Sequence, residues 1–151
     1  SLYKENPKIS LFLADFSKKA LRVSKKNAAK LKTGCEIIHS NLFENISGKF
    51  DLIVTNLPYI TQDDFFFLQK EIILFEPHEA LYGGVSGLDA IKLFLSYVGR
   101  YLNNNGIFVV EFGKGQDVLL KKELLRFNFD NFDFHQDFNK VKRLVCVKKD
   151  T

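Results

Sequence analysis

An α/β fold built on a mostly parallel sheet with a C-terminal antiparallel hairpin is predicted by three observations. Short apolar runs at 9–14, 35–39, 50–55 and 107–112 lack the in-and-out alternation of a half-solvated sheet, as expected for strands covered on both faces. Amphipathic helical segments separate them, which is the alternation that produces parallel pairing. The runs 132–135 and 144–147 are joined by the polar turn 137–140, a spacing that favours a hairpin. At 151 residues and 46% hydrophobic content the chain can bury one core, so 1–151 is read as a single domain.

Each element has a local reason. The first run ends at Asp15, and Ser17 is placed to cap a Lys-rich helix whose Ala20, Ser24, Ala28 and Leu31 share one face. Thr33-Gly34 is expected to stop it, and Ser40-Asn41-Leu42-Phe43 forms a loop after the second strand. Thr61 with Asp64 resembles a capping box opening a helix that must end before Pro77. A loop is expected from Glu76 to Ser86. Leu88, Ile91, Leu95, Val98 and Leu102 then recur at helical spacing. Asn103 to Gly106 should form the turn before the fourth strand, and a helix is expected over 118–127.

Bulk properties exclude several classes. The net charge of +4 comes from scattered Lys and Arg, so no concentrated nucleic-acid stripe is present. Cys35 and Cys146 show no metal-ligand spacing and read as buried reduced thiols. His39, His78 and His135 read as structural or exposed. No apolar stretch reaches the length of a membrane span, so a cytoplasmic protein without a membrane partner is expected.

The residues most suggestive of chemistry are Asn56, Leu57, Pro58 and Tyr59, at the mouth of the third run. The C-terminal mouth of a parallel sheet is where such folds bind ligands. The Asn56 side-chain oxygen and the Leu57 carbonyl can each accept one N–H of a planar NH2 group, while Tyr59 packs on its face. A carboxamide and the exocyclic amine of adenine both satisfy this pattern. Holding such a nitrogen in line with an incoming methyl group can supply roughly 7–11 kcal/mol of a barrier. The alternative is a turn in which Pro58 ends a strand and Tyr59 covers an edge. Asp15 fits either a ribose-binding acid or a helix-entry residue. Asn41 could meet an adenine amine and Phe43 could stack on the base, or both are ordinary loop and core residues. Gly113-Lys114-Gly115 suits a tight strand-to-helix turn, and Gly83-Gly84 with Gly87 suits close backbone approach.

Taken together these segments resemble the Rossmann-like S-adenosylmethionine-dependent methyltransferases that modify a glutamine of peptide chain release factors. The resemblance runs through Ala14-Asp15-Phe16-Ser17, the segment 50–60 with Asn56-x-Pro58-Tyr59, Glu76-Pro77-x-x-Ala80-Leu81-x-Gly83-Gly84-x-x-Gly87-Leu88-Asp89, Glu111-x-Gly113-x-x-Gln116 and Arg143. It implies S-adenosylmethionine as cofactor, with Asp15 on its ribose, Asn41 and Phe43 at its adenine and Asn56 close to the methyl donor. It implies N5-methylation of the glutamine of a Gly-Gly-Gln motif, with Asn56 to Tyr59 holding the side chain and class 1 release factors as partners. Neither a metal nor nucleic acid is required. Leu57 departs from the family, which usually has Pro there, and matches adenine-dimethylating ribosomal RNA enzymes, so an adenine-N6 methyltransferase is the alternative. Asn41 stands where the family usually has Asp. The family's first, central strand and its Gly-rich loop find no counterpart, so the chain is expected to be an N-terminally truncated catalytic domain that binds the cofactor poorly as it stands, or an inactive fragment.

Overall fold

The computed structural model describes residues 2–150, the side chains of Leu2 and Ile73 excepted. Chain contacts divide the protein into two compact units, one ending at Gly48 and the other beginning at Lys49. Each has its own sheet, of two and four strands respectively.

The first unit comprises α1 (Leu2–Glu5), β1 (Leu11–Asp15), α2 (Lys18–Leu31) and β2 (Cys35–His39). β1 and β2 are parallel, from Leu11 opposite Cys35 to Asp15 opposite His39. That register puts Asp15 and the loop 40–43 at the same end of the sheet. The strand starts later than the apolar run because Ile9 donates its N–H to the Asn6 carbonyl in a turn (3.4 Å). Ser17 caps α2 as expected, its hydroxyl accepting the Ala20 N–H at 3.3 Å. Gly34 does not terminate the helix. Lys32 takes the left-handed conformation (φ 51°), and the Thr33 N–H and hydroxyl both reach the Ala28 carbonyl (3.0 and 3.4 Å), which offsets the strain of a side chain at positive φ. Of the expected face, Ala20, Ser24 and Ala28 are half-buried and Leu31 is exposed, while the one fully buried residue of α2 is Leu21, outside that expected set.

The second unit contains β3 (Phe50–Asn56), α3 (Gln62–Phe66), α4 (Lys70–Phe75), α5 (His78–Leu81), α6 (Asp89–Tyr101), β4 (Leu102–Glu111), α7 (Asp117–Arg126), β5 (Phe132–Gln136) and β6 (Lys142–Lys148). Its strands are ordered β3-β4-β6-β5. β3 and β4 are parallel, and the antiparallel ladders are those of the C-terminal hairpin. The predicted stripe is buried but not wholly helical: Ile91, Leu95 and Val98 lie on α6 and Leu88 is its N-cap residue, whereas Leu102, expected on the helix, is extended (ψ 139°) and opens β4. Phe94 of α6 packs edge-on against Phe108 of β4, which also meets Phe129 edge-on. Lys149 donates its ammonium to the Gly99 and Leu102 carbonyls at the end of α6 (2.8 and 3.1 Å), favourable chemistry at the negative end of a helix.

Further details of the second unit differ from expectation. The helix opened by Thr61 is two short helices, and Gln69 between them is extended (ψ 142°). No Gly or Pro lies there; Phe65 is instead drawn onto the His78 and Tyr82 rings. α5 occupies part of the expected loop, starting directly after Pro77 as proline's fixed φ favours. The Asn103–Gly106 turn exists as an insertion inside β4: Leu102 pairs with Phe50 and Ile107 with Leu52, and Asn105 lies at φ 60°. Cys35 and Cys146 are free thiols but only half-buried. Cys146 alternates with Val145 and Val147, which face the core, so the pleat turns it to the other side. No helix among the described residues is long and apolar enough to cross a membrane.

Candidate functional site

The Asn56–Tyr59 turn leaves the end of β3, where Asn56 pairs with Glu111 of β4. Asn56 is exposed, and its carboxamide makes no hydrogen bond among the described residues. Leu57, Pro58 and Tyr59 are half-buried. Pro58 contributes no N–H, so the turn presents carbonyl acceptors in excess of donors.

Tyr59 is fixed at both ends. Its hydroxyl donates to Glu111 Oε1 at 2.9 Å, and the Arg143 guanidinium lies over its ring, 5.7 Å from the centroid. Burial, then the hydrogen bond to Glu111 and its negative charge, hold the phenol above its ordinary pKa, with Arg143 opposing. Tyr59 therefore stays neutral and donating. Arg143 is itself tied to the Phe112 carbonyl (3.4 Å).

The backbone of the turn is clamped by Gln116, only 6% exposed at the start of α7. Its Nε2 donates to the Tyr59 carbonyl at 2.8 Å and to the Ser86 carbonyl at 3.3 Å. Its Oε1 accepts the Gly113 N–H at 2.7 Å. One amide thus joins the turn, the glycine loop and the β4–α7 connection. The glycine loop packs directly on the turn. A Cβ at Gly83 would lie 2.7 Å from the Pro58 carbonyl oxygen and the Tyr59 Cα, and a Cβ at Gly87 would collide with Gln116 and the Tyr59 carbonyl. Gly87 also has φ 71°. Ile60 closes the arrangement by bridging to Tyr82, with its N–H on the Leu81 carbonyl and its carbonyl accepting from Gly83 (3.0 and 2.9 Å).

Asp15, Asn41 and Phe43 lie in the first unit, at one end of its sheet. Asp15 Oδ1 accepts the Ser17 N–H at 2.7 Å, so the helix-entry role is realised while the carboxylate keeps further acceptor capacity. The Asn41 amide NH2 donates to Glu44 (2.9 Å), leaving its oxygen for another donor. Phe43 is half-buried. A cavity of about 260 Å³ in this unit is lined by Lys18, Leu21, Arg22, Lys25 and His39 and by none of the three.

Sequence reasoning gave no individual role to Glu111, Gln116 or Arg143. The signal was present in Glu111-x-Gly113-x-x-Gln116 directly after a strand, but only the fold shows that Gln116 reaches a residue 57 positions earlier.

The model of the methyltransferase small domain matches residues 1–85. The chain belongs to that family. Over 151 residues it is 36% identical to the release factor glutamine methyltransferase of Agrobacterium fabrum, covering 99% of this chain and 52% of the relative. It thus spans about half of that relative's length. Among solved structures, a methyltransferase from Pyrococcus furiosus superposes with TM-score 0.72 at 10% identity, covering 99% of this chain and 68% of that one. A Thermus thermophilus 16S rRNA methyltransferase in complex with AdoMet and guanosine gives TM-score 0.61 at 16% identity, over 93% of this chain and 31% of its own. Both share the fold.

Proposed function

We propose that this chain is the substrate-gripping part of a protein-glutamine N5-methyltransferase that acts on class 1 peptide chain release factors in the cytoplasm. The observation that carries the reading is the exposed Asn56 carboxamide, without a hydrogen bond among the described residues, on a turn that Gln116, Gly83 and Tyr59 hold rigid. A rigid pair of acceptors orients a weak nucleophile without a dedicated base. The Asn56 side-chain oxygen and the Leu57 carbonyl would each accept one N–H of the substrate amide, and the fixed Tyr59 ring would limit its rotation. The nitrogen gains the methyl group and releases a proton to solvent.

The first unit fits the nucleoside half of S-adenosylmethionine. Asp15 retains acceptor capacity for ribose hydroxyls, and Asn41 has a free oxygen for an adenine amine beside Phe43. When bound, that group supplies an electrophilic methyl on a sulfonium, which leaves as a neutral thioether. The name of the Agrobacterium fabrum relative supports glutamine as the acceptor.

Leu57 favours a second reading, an adenine-N6 methyltransferase acting on ribosomal RNA or DNA. Transfer of label from radioactive S-adenosylmethionine to a release factor, with ribosomal RNA as competitor, separates the two. Because the chain is expected to bind the cofactor poorly as it stands, transfer is expected to be slow, but the label should enter the release factor rather than RNA and fall at least ~100-fold with Asn56→Ala, with cofactor affinity changed less. Label in RNA, or full activity of the variant, would defeat the assignment.

A further inference from the structure

Between Ile60 and Tyr82 the chain makes an excursion whose two ends are bridged to each other beside the Asn56–Tyr59 turn. Its surface gathers strongly exposed large apolar side chains that occur singly elsewhere, such as Val85 and Phe138. Phe65 is turned inward onto His78, with centroids 4.5 Å apart, but Phe66, Phe67, Leu74 and Phe75 are 74%, 88%, 75% and 81% exposed. Four large side chains this exposed within ten residues present on the order of several hundred Å² of apolar area, the scale at which a surface patch marks a binding site.

Charge selects the kind of partner. Asp63, Asp64, Glu71, Glu76 and Glu79 are exposed in this segment against the one cation Lys70, in a chain whose net charge is +4. Carboxylates around aromatic rings attract Lys and Arg by charge and by cation–π contact, and they repel a phosphate backbone. We propose that the segment 62–79 is a docking surface for a basic, apolar-bearing stretch of the polypeptide substrate, flanking the residue whose side chain enters at Asn56. This rests on the reading of Asn56–Tyr59 as a carboxamide grip, and it names the surface that delivers the substrate to that grip.

The test is fluorescence anisotropy with the 151-residue chain and four labelled probes of equal length. These are a Gly-Gly-Gln peptide flanked by Lys, Arg and Leu, the same peptide flanked by Glu, Asp and Leu, the basic peptide with its glutamine replaced by alanine, and a single-stranded RNA. The basic peptide should bind at least ~10-fold more tightly than the acidic one, with an advantage that shrinks as salt rises. The triple variant Asp63→Lys, Glu71→Lys, Glu76→Lys should abolish the advantage. Phe67→Ser with Phe75→Ser should weaken binding at every salt concentration, with circular dichroism unchanged for both variants. Equal binding of the two peptides, tighter binding of RNA, a silent triple variant, or self-association that the Phe variants remove would each overturn the docking surface. If only the carboxamide grip is wrong, the alanine peptide binds as well as its parent while charge dependence persists. The two failures are therefore distinguishable.

Discussion

Replacing Gln116 by alanine should damage the site and the stability of the second unit together. The side chain makes three hydrogen bonds, at 2.7, 2.8 and 3.3 Å, and is 6% exposed. A typical bond contributes about 0.5–1.5 kcal/mol net, and each buried partner left unsatisfied costs about 1–3 kcal/mol. The Gly113 N–H is buried, whereas the bonds to the Tyr59 and Ser86 carbonyls are part-buried and regain some hydration. About 3 kcal/mol is then expected, a large share of the 5–15 kcal/mol typical of a domain. In urea unfolding followed by circular dichroism, with a slope of about 1–3 kcal/mol per molar, the midpoint should fall by at least ~1 M at unchanged slope. Hydrogen exchange should show the Gly113 amide losing protection. Gln116→Glu keeps the acceptor for Gly113 but sets an anionic oxygen against two carbonyls, so it should destabilise at neutral pH at least as much as alanine. A midpoint shift worth under ~0.5 kcal/mol for Gln116→Ala, within the range of an ordinary surface substitution, would refute the clamp.

Gly87→Ala should cost about 1–3 kcal/mol, because it combines positive φ with a Cβ aimed at Gln116 and the Tyr59 carbonyl. Gly115→Ala, also at positive φ but with open space around it, should cost about 1 kcal/mol by thermal denaturation. Ultraviolet difference titration should find Tyr59 ionising above the ordinary tyrosine range, and Glu111→Gln should lower that pKa by removing the carboxylate. The folded-state pKa is raised, so this stabilisation is complete below the unfolded value and is lost as pH rises through the folded one; loss of stability on the acid side traceable to Tyr59 would contradict the assignment. Phe108→Ala, which empties a fully buried site between Phe94 and Phe129, should cost about 3–5 kcal/mol in denaturant unfolding.

The elements readable in advance were those with local causes. Ser17 and Thr61 cap their helices because a hydroxyl next to an orphan N–H is decided within three residues. Ile91, Leu95 and Val98 are buried because their helical period is written in consecutive turns. The order of Asn56, Leu57, Pro58 and Tyr59 after an apolar strand likewise identified the turn at the sheet mouth.

What needed the folded chain was everything that joins distant segments. The end of α2 is a local exception: Lys32 rather than Gly34 closes it, because two hydrogen bonds from Thr33 to the Ala28 carbonyl outweigh the glycine preference. The helix after Thr61 breaks where Phe65 finds His78 and Tyr82, a packing choice invisible to propensity. Gln116 lies within an ordinary strand-to-helix turn in sequence, and only folding brings it to Tyr59 and Ser86. By itself the sequence located the Asn56–Tyr59 turn at the end of an apolar strand. Tertiary structure decided that the turn is rigid, because the groups that hold it come from β4, α7, β6 and the glycine loop, and no local rule couples residues so far apart along the chain.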